Sequence, residues 1–256
     1  TQGWGFNLPM DPDDFTVDIG LHNVNATEGS ESHQIDQIIV HPDWSYANNI
    51  DNDYALLHLS TPSSFETLQL ITDDNHDNEP LVADIMGWGN IYYNGPPSTV
   101  LLEVSVPIDD ECGNYSDNQI TENHLCAGSS AGGENTCHGD SGGPLIITND
   151  YGEYEQIGIV SWAYGCADPG YPTVYSRIWT QLDWFYSYIG IPFEVELYGD
   201  VNFDGIVDIT DLIMIINFIL HINEPTMEEY LTADIDQNEI INILDVIQMI
   251  FVILEE

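Results

Sequence analysis

The hydrophobic pattern changes period near residue 192, so no single layered architecture accommodates the whole chain. Before that point apolar residues come in short alternating runs: Gln34 to Val40, Tyr54 to Leu59, Val82 to Met86, Val100 to Val106, Pro144 to Ile147 and Gln156 to Trp162. Turn clusters such as Asn94-Gly95-Pro96-Pro97 separate them. Many short strands at this spacing predict an all-β barrel or sandwich. Trp179 to Ile189 then reads as a helix with Leu182, Phe185 and Ile189 on one face and Gly190 as its stop. Beyond Pro192 two acidic loops repeat with an offset of 34 residues, Asp200 against Asp234, each followed by a strongly apolar helical stretch. The expected organisation is a large domain over residues 1–191, a linker over 192–198 and a small domain over 199–256.

Charge narrows the partners. The chain holds 44 acidic residues against the single Arg177 and no lysine, a formal charge of −43. Like charge excludes nucleic acid and anionic membrane surfaces. The acids read as a solvated surface suited to salty water, with cation ligation accounting for part of them. No run of about eighteen or more apolar residues offers a membrane span, and the first twenty residues lack the order of a signal peptide. A chain starting at Thr1 reads as a processed or truncated product. Four cysteines allow three pairings, and the absence of a zinc-type C-x-x-C spacing favours disulfides and an oxidising, extracellular compartment.

The sharpest local signal is Gly139-Asp140-Ser141-Gly142-Gly143-Pro144. Glycines around a serine let the backbone turn tightly, expose the hydroxyl and aim N–H groups at one spot, as an oxyanion hole requires. With Asn52-Asp53-Tyr54-Ala55-Leu56-Leu57, Gly87-Trp88-Gly89-Asn90, Cys126-Ala127-Gly128, Ser161-Trp162 and Val174-Tyr175-Ser176-Arg177, the chain resembles the chymotrypsin (trypsin-like) family of serine proteases over nearly all of residues 15–190. The resemblance implies an all-β chymotrypsin-like double β-barrel. It makes Ser141 the nucleophile, the N–H groups of Gly139 and Ser141 the oxyanion hole, and Asp53 the carboxylate that orients an imidazole. Asp140 would receive the ammonium of a newly cut N-terminus. The disulfides implied are Cys112 with Cys126 and Cys137 with Cys166.

The imidazole itself is expected in an Ala-His-Cys segment shortly upstream of Phe15-Thr16-Val17-Asp18-Ile19-Gly20, and no such motif follows Thr1. His41, in Val40-His41-Pro42-Asp43-Trp44, reads as part of a surface turn, and His138 as a rim residue turned toward substrate. His22, His33, His58, His76 and His124 read as satisfied or solvent-exposed. The chain as written is therefore expected to be inactive, with the first barrel incomplete, sheet edges unpaired and a gap beside Asp53.

In this family the residue six before the serine forms the floor of the specificity pocket, here Asn135, with walls at Ala163 and Thr173. A neutral floor excludes a trypsin-like preference for Lys or Arg. Side chains on both walls shorten the pocket, which resembles elastase and implies small apolar side chains at the cleaved position. Ser161 and Trp162 complete the substrate-binding set. Glu28 and Glu31 remain in a loop where some relatives bind calcium, but Leu21 stands where a carboxylate ligand is needed, so no calcium is expected there.

In the small domain Asp200, Asn202, Asp204, Asp208 and Asp211 occupy loop positions 1, 3, 5, 9 and 12, with Gly205 at position 6 and the Ile206 carbonyl at position 7. Asp234, Asp236, Asn238, Ile240, Asn242 and Asp245 repeat the pattern. Such spacing wraps a hard cation of Ca²⁺ size. Ending on Asp, and without a helix before the first loop, the pair resembles a dockerin type I domain, a small α-helical unit with two calcium loops, over Tyr198 to Glu256. Glu239 stands where glycine is favoured, so the second site is expected to bind more weakly. Leu212 to Leu220 and Val246 to Leu254 are apolar on more than one face, which implies a partner surface. A cohesin domain and the chain's own protease domain are the two candidates. Ile209-Thr210 and Ile243-Leu244 occupy the recognition positions without the common Ser-Thr pair.

Together these readings predict a secreted serine endopeptidase, extracellular or attached at a cell surface, that cleaves protein substrates and is tethered through a calcium-dependent dockerin. The alternatives are an inactive protease homologue serving as a binding or adhesion module, and a calcium-buffering or structural role.

Overall fold

The computed structural model describes residues 11–45, 50–71, 82–109, 111–116, 118–149, 152–190, 197–223, 225–236, 238 and 240–255. Three strands, β1 (Thr16–Ile19), β2 (Glu31–Val40) and β3 (Ala55–Leu59), form an antiparallel sheet in that order, with a register shift between Ile35 and Gln37. Alternation along β2 buries His33 and Ile35 while Ser32, Gln34 and Asp36 face water. Val40 and Leu57 stay 42% and 46% exposed, so this sheet covers its apolar side only in part.

The other strands are β4 (Gln69–Leu70), β5 (Val82–Gly87), β6 (Leu102–Pro107), β7 (His124–Ala127), β8 (Pro144–Thr148), β9 (Tyr154–Trp162) and β10 (Thr173–Arg177). Their order is β6-β5-β8-β9-β10-β7, with β4 joining β9 in parallel. A bridge between Ile108 and Ala127, flanked by Asp109 N–H to Cys126 O (2.9 Å) and Gly128 N–H to Pro107 O (2.8 Å), ties the β6 end to β7 and closes a barrel. Residues that β7 and β10 share with the barrel wall are buried on both faces, with Ala127 and Val174 at 0% exposure. The architecture is that of a chymotrypsin-like double barrel whose first barrel is incomplete.

The described residues divide into two compact units, one ending at Gln181 and the other beginning at Leu182. Helix α1 (Leu182–Ile189) opens the second. Leu182, Phe185 and Tyr186 are buried, whereas Ile189, expected on that face, is 57% exposed. It is the last helical residue, directly before the left-handed Gly190 (φ +79°), where the chain leaves the helix.

Helices α2 (Ile209–Ile219), α3 (Met227–Ala233) and α4 (Ile243–Glu255) follow. Capping boxes start α2 at Asp208 with Asp211, and α3 at Thr226 with Glu229. Val201, Leu212, Ile215, Ala233, Val246 and Met249 form a core in which α2 packs on α4. The opposite faces remain open, with Ile213, Leu244, Phe251 and Leu254 all more than half exposed. No described helix is long and apolar enough to cross a membrane.

Candidate active site and calcium loops

The loop between β7 and β8 presents Ser141 at the surface. Its turn is closed by Asp140 N–H to Cys137 O (3.1 Å), Gly142 N–H to Val160 O (2.9 Å) and Gly143 N–H to Asp140 O (2.9 Å). The N–H groups of Gly139 and Ser141 have no acceptor among the described residues. Gly139 (φ +101°) and Gly142 (φ +85°) adopt backbone angles that side chains disfavour, which is why glycine is needed on either side of the serine. Disulfides join Cys137 to Cys166 and Cys112 to Cys126, so the serine loop is bolted to the segment after β9.

Asp140 turns inward. Its Oδ1 accepts the Gly89 N–H at 2.8 Å and its Oδ2 the Cys137 N–H at 2.9 Å. A Cβ on Gly87 would come within 2.0 Å of that carboxylate, and one on Gly89 within 2.5 Å. The Gly-Trp-Gly motif thus admits the carboxylate, whose oxygens meet backbone amides here instead of a terminal ammonium.

Ser141 opens onto a cavity of about 110 Å³ whose lining includes Thr136, His138, Ser161, Trp162, Ala163 and Thr173. Ser161 connects this cavity to Asp53: its hydroxyl donates to Asp53 Oδ2 at 2.8 Å. Trp44 Nε1–H donates to Asp53 Oδ1 at 3.0 Å, and Ser176 Oγ donates to the Asp53 carbonyl at 3.2 Å. Where a gap beside Asp53 is expected, an indole meets the carboxylate.

Asn135 stands one layer behind the lining. Its Oδ1 accepts the Thr136 N–H at 2.9 Å and the Thr173 hydroxyl at 2.9 Å, and the two threonine hydroxyls lie 2.6 Å apart. The surface offered to a side chain is therefore formed by Thr136 and Thr173, and Asn135 acts through them. Motif position singles out Asn135; Thr136 and Trp44 escape notice as site residues because only the fold brings them to this site.

Among the described residues no histidine hydrogen-bonds Asp53 or Ser141. His41 is not at the surface as expected: it is 6% exposed and its Nε2 lies 3.0 Å from Gln181 Oε1. His124 is 3% exposed and accepts the Thr121 N–H on Nδ1. Burial pushes its pKa down, against the Ile50 backbone and the charges of Asp51 and Asp53. His33 contacts Glu31 and Thr61, and His58 pairs with Asp36. His138 packs its ring against Tyr93 at 5.5 Å on the cavity rim. His76 lies outside the described residues.

The two acidic loops gather oxygen in a unit that has no Lys or Arg. In the second, ligand atoms of Asp234, Asp236 and Asp245 lie within 4.8 Å of one another, and Asp236 Oδ1 is buried without a partner. Three close carboxylates and an orphaned buried oxygen fit a divalent cation. In the first loop Asp200 accepts the N–H groups of Asp204 and Gly205, while the fully buried Asp211 accepts those of Val201, Asn202 and Asp208. Asp245 repeats the Asp211 role on Ile235, Asp236 and Asn242. Asn202 donates to Asp204, Asn238 donates its N–H to Asp234, and the Ile240 carbonyl accepts from Asn242 Nδ2. Asp208 caps α2, and the carbonyl of Ile206 is the remaining first-loop position that the spacing assigns. Glu239 and its backbone angle lie outside the described residues.

Barrel, serine turn and helical module place the molecule in the class of chymotrypsin-fold proteins that carry a second, small helical domain. The trypsin family model matches residues 8–185 and the dockerin type I domain model residues 198–254. The chain belongs to the trypsin family, with a dockerin type I domain C-terminal to it in sequence. It is 37% identical over 176 residues to Trypsin-1 of Salmo salar, covering 67% of this chain and 70% of that protein. Trypsin of Xenopus laevis is 36% identical over 186 residues, covering 68% and 71%. Glucanase inhibitor protein 2 of Phytophthora sojae is 37% identical over 174 residues, covering 66% of this chain and 59% of that protein.

Proposed function

We propose that this chain is the protease part of a secreted serine endopeptidase that is tethered through a calcium-dependent dockerin and prefers a small side chain before the scissile bond. The observation that carries this reading is the pair of free N–H groups, on Gly139 and Ser141, beside an exposed serine hydroxyl, on a cavity that Ser161 links to Asp53. Two N–H donors aimed at one point stabilise the oxyanion that forms when the serine oxygen attacks a peptide carbonyl. Asp53 Oδ2 is the oxygen on which an imidazole N–H would be held, so that its other nitrogen takes the Ser141 proton. Ala163 and Thr173 keep the cavity short. Bound Ca²⁺ would supply the positive charge that lets Asp234, Asp236, Asn238, Asn242 and Asp245, and the equivalent first-loop residues, sit together. The exposed faces of α2 and α4 would then dock a cohesin domain or the chain's own protease domain, placing the enzyme at an extracellular scaffold or cell surface.

A second reading is a non-catalytic binding module. Two observations favour it: no described histidine stands on Asp53, whose Oδ1 is already held by Trp44, and the chain is similar to a glucanase inhibitor protein.

Imidazole dissolved in the buffer separates the two. If the site is an endopeptidase scaffold, fluorophosphonate labelling of the intact chain, followed by mass, is slow in buffer alone and accelerates with imidazole concentration to saturation. The label is lost in Ser141→Ala and slowed in Asp53→Asn. Labelling that imidazole leaves unchanged sinks the protease reading in favour of the binding module.

A further inference from the structure

Two tripeptides in the chain have the form Asn-X-Ser/Thr with X other than proline: Asn25-Ala26-Thr27 and Asn114-Tyr115-Ser116. This is the pattern that an oligosaccharyl transferase reads around its acceptor asparagine in chains that enter a secretory compartment. The tripeptide alone decides little, because the transferase must also reach the amide and draw the segment into its own cleft. The two copies differ in that respect.

Asn25 sits third in a four-residue turn that the Ala26 N–H closes on the Asn23 carbonyl at 2.9 Å. Asn23 Oδ1 accepts the Asn25 N–H at 2.9 Å, so the neighbouring asparagine folds the turn and the Asn25 amide has no partner among the described residues. Every residue from Val24 through Gly29 is exposed, and a Cβ on Gly29 would meet nothing within 4 Å. Thr27 engages only its carbonyl, which accepts the Ser30 N–H at 3.1 Å and the Ser30 hydroxyl at 2.8 Å. Its own hydroxyl has no partner among the described residues. The second copy is tied down. Asn114 N–H donates to Gly170 O at 2.8 Å, and Asn114 Nδ2 lies so close over Gly170 that a Cβ there would come within 2.0 Å of it. Tyr115 is buried and its hydroxyl donates to Pro172 O at 3.0 Å, Ser116 Oγ donates to Gln119 Oε1 at 2.8 Å, and Cys112 just upstream is bridged to Cys126.

We infer that Asn25 is an acceptor for an N-linked glycan, carried on the loop between β1 and β2. In the transfer Asn25 Nδ2 bonds to C1 of the sugar as the C1–O bond to the phosphate of a lipid-linked oligosaccharide breaks. The amide gives up one proton, the departing lipid phosphate keeps the electron pair of the broken bond, and nothing is oxidised or reduced. Lifting Asn25-Ala26-Thr27 into a transferase disturbs one turn, whereas lifting Asn114-Tyr115-Ser116 pulls a buried tyrosine and a bridged cysteine with it. The glycan would stand beside Val24, which is 47% exposed, and add hydrated bulk over that apolar side chain. This inference rests on reading the chain as secreted.

The test expresses the full chain behind a cleavable leader in insect cells, with Ca²⁺ in the medium. Intact mass is read before and after peptide-N-glycosidase, on chains from the medium and from the membrane fraction, so that retained protein is scored too. The parent should carry a sugar increment that the glycosidase removes, leaving an aspartate where the modified asparagine stood. Asn25→Gln and Thr27→Ala should each lose that increment, Thr27→Ser should keep it, and Asn114→Gln should leave it unchanged. Chains with both disulfides formed and Asn25 bare overturn the inference and leave the extracellular reading standing. Chains with free thiols and Asn25 bare overturn both. An increment that survives Asn25→Gln and disappears in Asn114→Gln puts the sugar on the tied-down asparagine and also overturns the inference.

Discussion

Glu31 shows how a single acid behaves in a chain almost without cations. Its carboxylate accepts from the Ser64 hydroxyl and N–H, from the Ser63 hydroxyl at 2.8 Å and from His33 Nε2 at 3.0 Å. These donors, Ser64 foremost, then Ser63 and His33, hold its pKa at about 2 against an ordinary 4.5. A folded pKa below the unfolded one means stabilisation that is complete above about pH 4.5 and lost as pH falls toward about 2. Glu31→Gln should therefore unfold at lower denaturant than the parent at pH 6, with the two curves converging by about pH 2. A constant difference across that window would mean the network acts through packing and not through ionisation. The same carboxylate belongs to the loop where Leu21 replaces a ligand, and its oxygens are directed at hydroxyls.

Elements differ in how much of themselves they display in sequence. Period-two runs reveal β2, β5, β6 and β9, and short apolar runs bounded by turn residues reveal β3 and β8, the latter buried from Leu145 through Ile147. Strand β7 is buried at every position, His124 through Ala127, so nothing alternates. Helix α3 announces itself only by Thr226 and Glu229, a capping box over a seven-residue helix too short for an apolar stripe. In the site, Ser141 and Asp53 are legible because local motifs surround them, whereas the Thr136, Thr173 and Asn135 relay depends on β10 lying beside the serine loop. The two acidic loops are legible as spacing, and their hydrogen bonds reach the helices. Asp245 is at once a loop oxygen and a first-turn residue of α4, and its N–H bonds from Ile235, Asp236 and Asn242 tie loop to helix. Chelating Ca²⁺ should lower far-UV helical signal and open α4 to hydrogen exchange while strands β5 through β10 keep their protection. Equal exchange in α4 with and without Ca²⁺ would show that the loops hold their shape without the ion.

At the scale of the whole molecule, 44 acids surround one arginine, and Arg177 directs its Nε–H to the His124 carbonyl. The acids therefore have almost no Lys or Arg side chain to pair with. Like charges brought together by folding repel over the Debye length, which falls from about 30 Å at 0.01 M salt to about 10 Å at 0.1 M. Unfolding moves these charges apart, so screening must favour the folded state. This sign is opposite to that of a protein held by surface ion pairs, which added salt weakens. Thermal unfolding followed by calorimetry at pH 7.5, with Ca²⁺ saturating, should shift upward as NaCl rises, most steeply between about 10 and 100 mM, where the Debye length changes most. KCl should match NaCl at equal ionic strength, because screening depends on ionic strength and not on the identity of the cation. A transition temperature that stays flat over that range, or falls, would show that close contacts and not the net charge set the stability of the fold.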